Sequence, residues 1–177
     1  MQKMVRLSLL VSGAAVLHVV ESWLPNPFVF VLGPGAKLGL ANVVTLVVVL
    51  AYGWREAFVA AVLRSFLGSL VAGTFLTFGF YMSLAGAITS ALAMGLLRAL
   101  LGNRISTIGL SIIGAVTHIV TQLTVAALAV SHFGLFVQLP WLLLFAIPTG
   151  YFVGVVGGLL YKAMPKDRFR KDGPDEI

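Results

Sequence analysis

Six apolar runs, each near membrane-spanning length, take up most of this chain: residues 5–24, 37–53, 56–73, 83–101, 107–130 and 140–162. A helix rising about 1.5 Å per residue needs roughly 20 apolar residues to cross about 30 Å of hydrocarbon. In that solvent each segment must bond its own backbone N–H and C=O groups, so runs of this kind are predicted to be helices. Composition agrees, with 59% hydrophobic and 10% charged residues and a mean hydropathy of +1.03, against about 25% charged in a soluble domain. The predicted fold is an all-α membrane protein. A six-helix bundle forms one domain over residues 1–165, and a polar tail follows at 166–177. The opening Met1-Gln2-Lys3-Met4-Val5-Arg6 imitates a signal peptide. The run behind it is long for one and leads into no polar mature sequence, so it reads as a retained first helix. The chain has no cysteine, which removes disulfides, thiolate metal sites and thiol nucleophiles.

Orientation follows from the twelve Lys and Arg residues, which gather in short cytoplasmic loops and tails of membrane proteins. With the N-terminus inside, Lys3, Arg6, Arg55, Arg98, Arg104, Lys162, Lys166, Arg168, Arg170 and Lys171 all fall on the cytoplasmic side. Both termini are then predicted to be cytoplasmic in a multi-pass membrane protein. The net charge of +6 is a consequence of this topology, so no nucleic-acid partner is expected. The lipid bilayer is the expected surroundings, and the tail is placed to meet anionic headgroups.

Two cations break the pattern, Lys37 at the outer end of the second run and Arg64 midway along the third. With Glu21, late in the first run, they are the charges that hydrocarbon tolerates only when they face a protein interior or a wet cavity. Helical rise puts Arg64 about 14 Å and His118 about 17 Å from the inner surface, with Gln122 at about 22 Å. His118 and Gln122 are four residues apart and share a face, as do Asn42 and Thr45 at a spacing of three. His18 and Glu21 share a face in the outer third of the first helix. The polar residues of four helices therefore converge between the midplane and the outer surface. They form a candidate ligand pocket of Lys37, Asn42, Thr45, Arg64, His118, Gln122 and Glu21. The competing reading is interhelical glue, with Arg64 paired to Glu21 or His118 only to hold the bundle together.

The connection Pro25-Asn26-Pro27-Phe28-Val29-Phe30-Val31-Leu32-Gly33-Pro34-Gly35 is apolar but full of helix breakers. Irregular backbone at membrane depth is allowed only in a protein interior or along a cavity, which places this segment over the outer mouth or at the interface. A second outer loop is predicted over Thr74 to Met82, with Phe75, Phe78, Phe80 and Tyr81 forming an interfacial belt or facing a ligand. Small residues recur every fourth position in three runs: Ala57, Ala61, Ser65, Ser69 and Gly73; Ser83, Ala87, Ala91, Gly95 and Ala99; Gly150, Gly154 and Gly158. Such stripes let membrane helices approach closely. The sequence has no phosphate-binding Gly-rich loop, no zinc-type His/Glu cluster and no Asp-rich pair to hold magnesium on a diphosphate. No cofactor and no catalytic residue is expected, and any energy must come from a partner or an ion gradient. Glu56, beside Trp54 and Arg55, is read as an inner-interface residue.

The stretch Gly35-Ala36-Lys37-Leu38-Gly39-Leu40-Ala41-Asn42, with Thr45, Arg64, Gly114-Ala115-Val116-Thr117-His118 and Gln122, resembles the bacterial Gx transporter family. That family is also called heptaprenyl diphosphate synthase component I, and the resemblance covers roughly residues 5–162. It implies a six-helix protein similar to the substrate-binding S components of energy-coupling factor transporters. Those components take a small molecule from outside and dock on a membrane coupling protein with two ATPases. S components carry an alanine pair in helix 1 for docking, where this chain has Ser8 and Ser12, with Gly13, Ala14 and Ala15 beside them. The family name implies the alternative of a non-catalytic membrane subunit partnering the catalytic subunit of a heptaprenyl or polyprenyl diphosphate synthase.

Overall fold

The computed structural model describes residues 2–23 and 40–164, and the described residues hold helices and no strand. The described residues hold six α-helices: α1 (Gln2–Trp23), α2 (Leu40–Tyr52), α3 (Trp54–Val71), α4 (Phe78–Leu101), α5 (Thr107–Val130) and α6 (Leu139–Ala163). Short 3-10 turns at Gly102–Arg104 and Phe133–Gln138 join α4 to α5 and α5 to α6. Lys37, the proline-rich connection at 25–35 and the tail at 166–177 lie outside the described residues. Glu21 belongs to α1, but its side chain lies outside them too.

Among the described residues, three helical segments are long and apolar enough to cross a membrane: Phe78–Leu101, Thr107–Val130 and Phe133–Ala163. Side-chain distribution agrees with a lipid surrounding. On α3 the buried residues are Ala57, Ala60, Ala61, Arg64, Ser65, Gly68 and Ser69, whereas Phe58, Leu63, Phe66, Leu67 and Leu70 are exposed. A water-soluble fold would hide the large apolar side chains; here they face outward and the small and polar ones face in. This is a helical membrane protein.

Of the expected span over 37–53, residues 40–52 are described, as α2. The described part of α2 has 13 residues, about 20 Å of rise. It packs against α1, α3, α4, α5 and α6, and Ala41 and every residue from Val43 to Val49 is buried. A helix apolar on all faces belongs inside a bundle, and α2 is the core around which the others stand. Gly53, at φ +96°, lets the chain reverse into α3 within a single residue.

The loop expected over Thr74 to Met82 is shorter, because α4 starts at Phe78. Thr77 caps it, its side chain accepting from the Phe80 N–H. Phe80 is buried and packs edge-on against Phe66 with ring centroids 5.3 Å apart, and Phe75 lies 5.2 Å from it. These rings close one end of the α3–α4 hairpin, so Phe80 is not part of an interfacial belt. Gly73, expected to extend the α3 stripe, instead makes the turn after it at φ +68°.

Most of the small-residue stripes sit between helices. A Cβ at Gly154 would stand 2.7 Å from the Ile108 Cα, one at Gly150 2.9 Å from the Ile112 Cα, and one at Gly95 2.8 Å from the Trp54 Cα. Backbone touches backbone at these points, and dispersion contacts there replace the hydrophobic drive that lipid removes. Gly157, outside the predicted stripe, instead receives the Leu46 side chain of α2. Ala99 at the end of the α4 stripe is exposed.

Candidate functional site

The interior polar residues cluster in two pairs. On one side of α2, the Arg64 guanidinium of α3 donates from Nη2 to Asn42 Oδ1 at 2.8 Å. Arg64 is only 4% exposed, so a full positive charge sits inside the bundle. Removing it from water is costly by several kcal/mol unless polar groups surround it. Because the Asn42 oxygen accepts from Arg64, the amide nitrogen is the group that Asn42 offers onward.

The second pair is on α5. His118 and Gln122 both press on Gly86 of α4: a Cβ there would lie 3.0 Å from the imidazole Nδ1 and Cε1 and 3.1 Å from Gln122 Cγ. Gly86 is thus a notch that seats both side chains. Gln122 is buried and His118 half-buried. Next to them, Thr89 of α4 donates to Thr121 of α5 at 2.9 Å, and Thr89 also bonds its own backbone at Ala85. That bond ties the two helices at the level of the pair.

His18 is buried on α1 and lies over Gly68 of α3, where a Cβ would meet its ring at 2.6 Å. Its role in packing α1 on α3 is therefore direct. Among the described residues no three His, Asp or Glu side chains come together as a metal site.

Hydroxyls inside helices ordinarily satisfy themselves on the carbonyl three or four residues back. Ser65 does so on Ala61, Ser69 on Phe66, Thr124 on Val120 and Thr149 on Phe145. Two do not. Thr45 Oγ1 on α2 and Ser90 Oγ on α4 are buried without a hydrogen-bond partner, each residue 1% exposed. A buried hydroxyl in this state costs about 1–3 kcal/mol. Thr45 was a predicted site residue. Ser90 was not, and its place in an apolar run carried no signal, since the same serine bonded to its own helix would be inert.

The residues expected to converge lie in two separate contacts. Asn42 and Arg64 are bonded, and His118 and Gln122 share one notch. Thr45 lies one turn along α2 from Asn42, while Lys37 and the Glu21 side chain fall outside the described residues. No curated protein and no solved structure matches the chain. A family model described as heptaprenyl diphosphate synthase component I matches residues 10–160. The chain, an all-helical membrane protein with a buried arginine at its core, belongs to the heptaprenyl diphosphate synthase component I family.

Proposed function

We propose that this protein is the substrate-binding membrane component of a small-molecule uptake system, holding its ligand in a polar pocket between α2, α3, α4 and α5. One observation carries the reading: a guanidinium only 4% exposed inside the bundle, its Nη2 donating to the Asn42 amide oxygen. Ionisable side chains inside a membrane bundle mark substrate and ion pathways, and a solute-binding role accounts for this one. Arg64 and Asn42 supply directional donors, and His118 and Gln122 supply a second polar wall. Lys37 stands at the mouth in this reading, with Glu21 nearby. The bacterial cell membrane is the location, with six spans, both termini cytoplasmic and the pocket open outward. Energy comes from a coupling protein and ATPases that dock on α1, where Ser8, Ser12 and Gly13 are exposed and nothing lies within 4 Å of a Cβ built on Gly13.

Native mass spectrometry of gently extracted protein tests the pocket directly. A bound small molecule lost in Arg64→Ala supports it; protein that carries no solute, together with unchanged uptake by Arg64→Ala, refutes it. Gly86→Ala is a milder probe, because its methyl group forces the His118 ring and Gln122 to shift by a few tenths of an ångström. Retention of the solute is expected to fall several-fold, with the unfolding midpoint moved by only a few degrees. Topology is testable because the chain has no native cysteine. Single cysteines at Arg104 and Lys162 are expected to react with a membrane-impermeant maleimide only after lysis, and one at His132 in intact cells. The reverse pattern would invert the orientation.

The family description favours a second reading, a non-catalytic membrane subunit of a prenyl diphosphate synthase. It requires that a soluble prenyl transferase copurify with this chain and lose activity without it.

A further inference from the structure

The two orphan hydroxyls occupy matching places. Thr45 follows Asn42 by three residues on α2, and Ser90 follows Gly86 by four on α4. Each therefore lies on the same helix face as the polar contact before it, one turn further along. The Arg64–Asn42 bond and the Thr89–Thr121 bond both join adjacent helices connected by short turns. Gly95, near the end of α4, packs on Trp54, the residue after Gly53, so α2 and α4 run the same way, toward the end that bears Gly53 and Gly102. Both hydroxyls are thus displaced in one direction, deeper than Arg64–Asn42 on one side and deeper than the His118–Gln122 notch on the other. The two helices that carry them pack on each other.

We infer that Thr45 and Ser90 form the floor of the site, donating their hydroxyls to an oxyanion, a carboxylate or phosphate, of a small water-borne solute. This inference rests on the pocket reading and gives α4 a ligand-binding side chain, Ser90. The donor set determines the chemistry. A guanidinium, an amide nitrogen and two hydroxyls free of their own backbone all offer hydrogens, and no acidic side chain on α2 or α4 competes for them. A cationic or purely donor ligand would leave this floor unsatisfied. An oxyanion satisfies it.

The test uses the full chain in dodecyl maltoside micelles, which contain no oxyanion, with inorganic phosphate and succinate as separate probes. Thermal-shift titration of the wild type, Ser90→Ala, Thr45→Val and Arg64→Met is read as apparent affinity and as the probe-free midpoint. The wild type is expected to be stabilised by at least one probe. Ser90→Ala and Thr45→Val are each expected to weaken that binding about tenfold while their probe-free midpoints hold or rise, since each removes an unsatisfied polar group. A purely structural serine would instead lower the midpoint and leave the affinity alone, which overturns the inference. Binding that Arg64→Met abolishes and Ser90→Ala leaves intact also overturns it, but keeps the pocket. No response to either probe refutes the oxyanion, and the pocket reading then stands or falls on whether native mass spectrometry finds another solute. Stabilisation found only in phosphatidylglycerol nanodiscs, and lost in Ser90→Ala, would move the site to a lipid headgroup and overturn the small-solute assignment.

Discussion

Arg64→Met is expected to reduce solute retention or uptake at least about a hundredfold while the folded protein survives. The bond from Nη2 to Asn42 Oδ1 at 2.8 Å is lost, and with it the only charge described inside α3 beyond its first turn. Hydrogen bonds to charged groups contribute about 1.5–3 kcal/mol each, and a ligand oxyanion would lose more than one. Stability behaves differently. Exchanging a buried charge for an apolar side chain of similar volume is often neutral or stabilising. The residual cost lies in Asn42, whose amide oxygen is left without its donor. The double variant Arg64→Met/Asn42→Leu should therefore unfold no earlier than the wild type, while remaining inactive. Arg64→Lys keeps the charge but not the planar fork, and should recover only a small part of the binding. If the double variant unfolds well below the wild type and activity falls only as folded protein falls, the arginine is interhelical glue.

Gly154→Leu is expected to abolish folding, and Gly154→Ala to destabilise by about 1–3 kcal/mol. A Cβ at this position stands 2.7 Å from the Ile108 Cα and 3.1 Å from the Ser111 Cβ. The nearest obstacle is backbone, which cannot rotate aside, so α5 and α6 must separate along their seam. Gly13→Ala is the control: nothing lies within 4 Å of its Cβ, and replacing a helical glycine by alanine gains up to about 1 kcal/mol. Unfolding midpoints in one detergent, with elution profiles to report folded monodisperse protein, measure all three. Equal behaviour of Gly154→Ala and Gly13→Ala would mean that the α5–α6 contact carries no packing energy.

The membrane class and the helix positions were legible because they depend on local quantities. Hydrocarbon thickness sets run length, and the demand that each segment bond its own backbone makes each run a helix. The predicted 107–130 coincides with α5, and 140–162 lies within a residue of α6 at each end. The start of α4 was misplaced by five residues, since Thr77 caps it within an aromatic stretch that reads as loop. Helical periodicity also put His118 with Gln122 and Asn42 with Thr45 on common faces, because spacing alone determines that.

Which helix stands at the centre is not a local property. α2 and α5 are both apolar, yet α2 is enclosed by five neighbours and α5 is half-buried along much of its length. The partner of Arg64 was equally undetermined, with Glu21 and His118 the expected candidates; the described bond goes to Asn42. Ser90 is the clearest case. Composition and spacing describe it as one more small residue in an apolar run, identical in kind to Ser65. Only the tertiary structure separates them: the Ser65 hydroxyl turns back to its own helix, while the Ser90 hydroxyl, buried just as deeply, has no bond. A side-chain torsion and the helices packed around it decide that difference, and neither is written in the residue's name or its spacing.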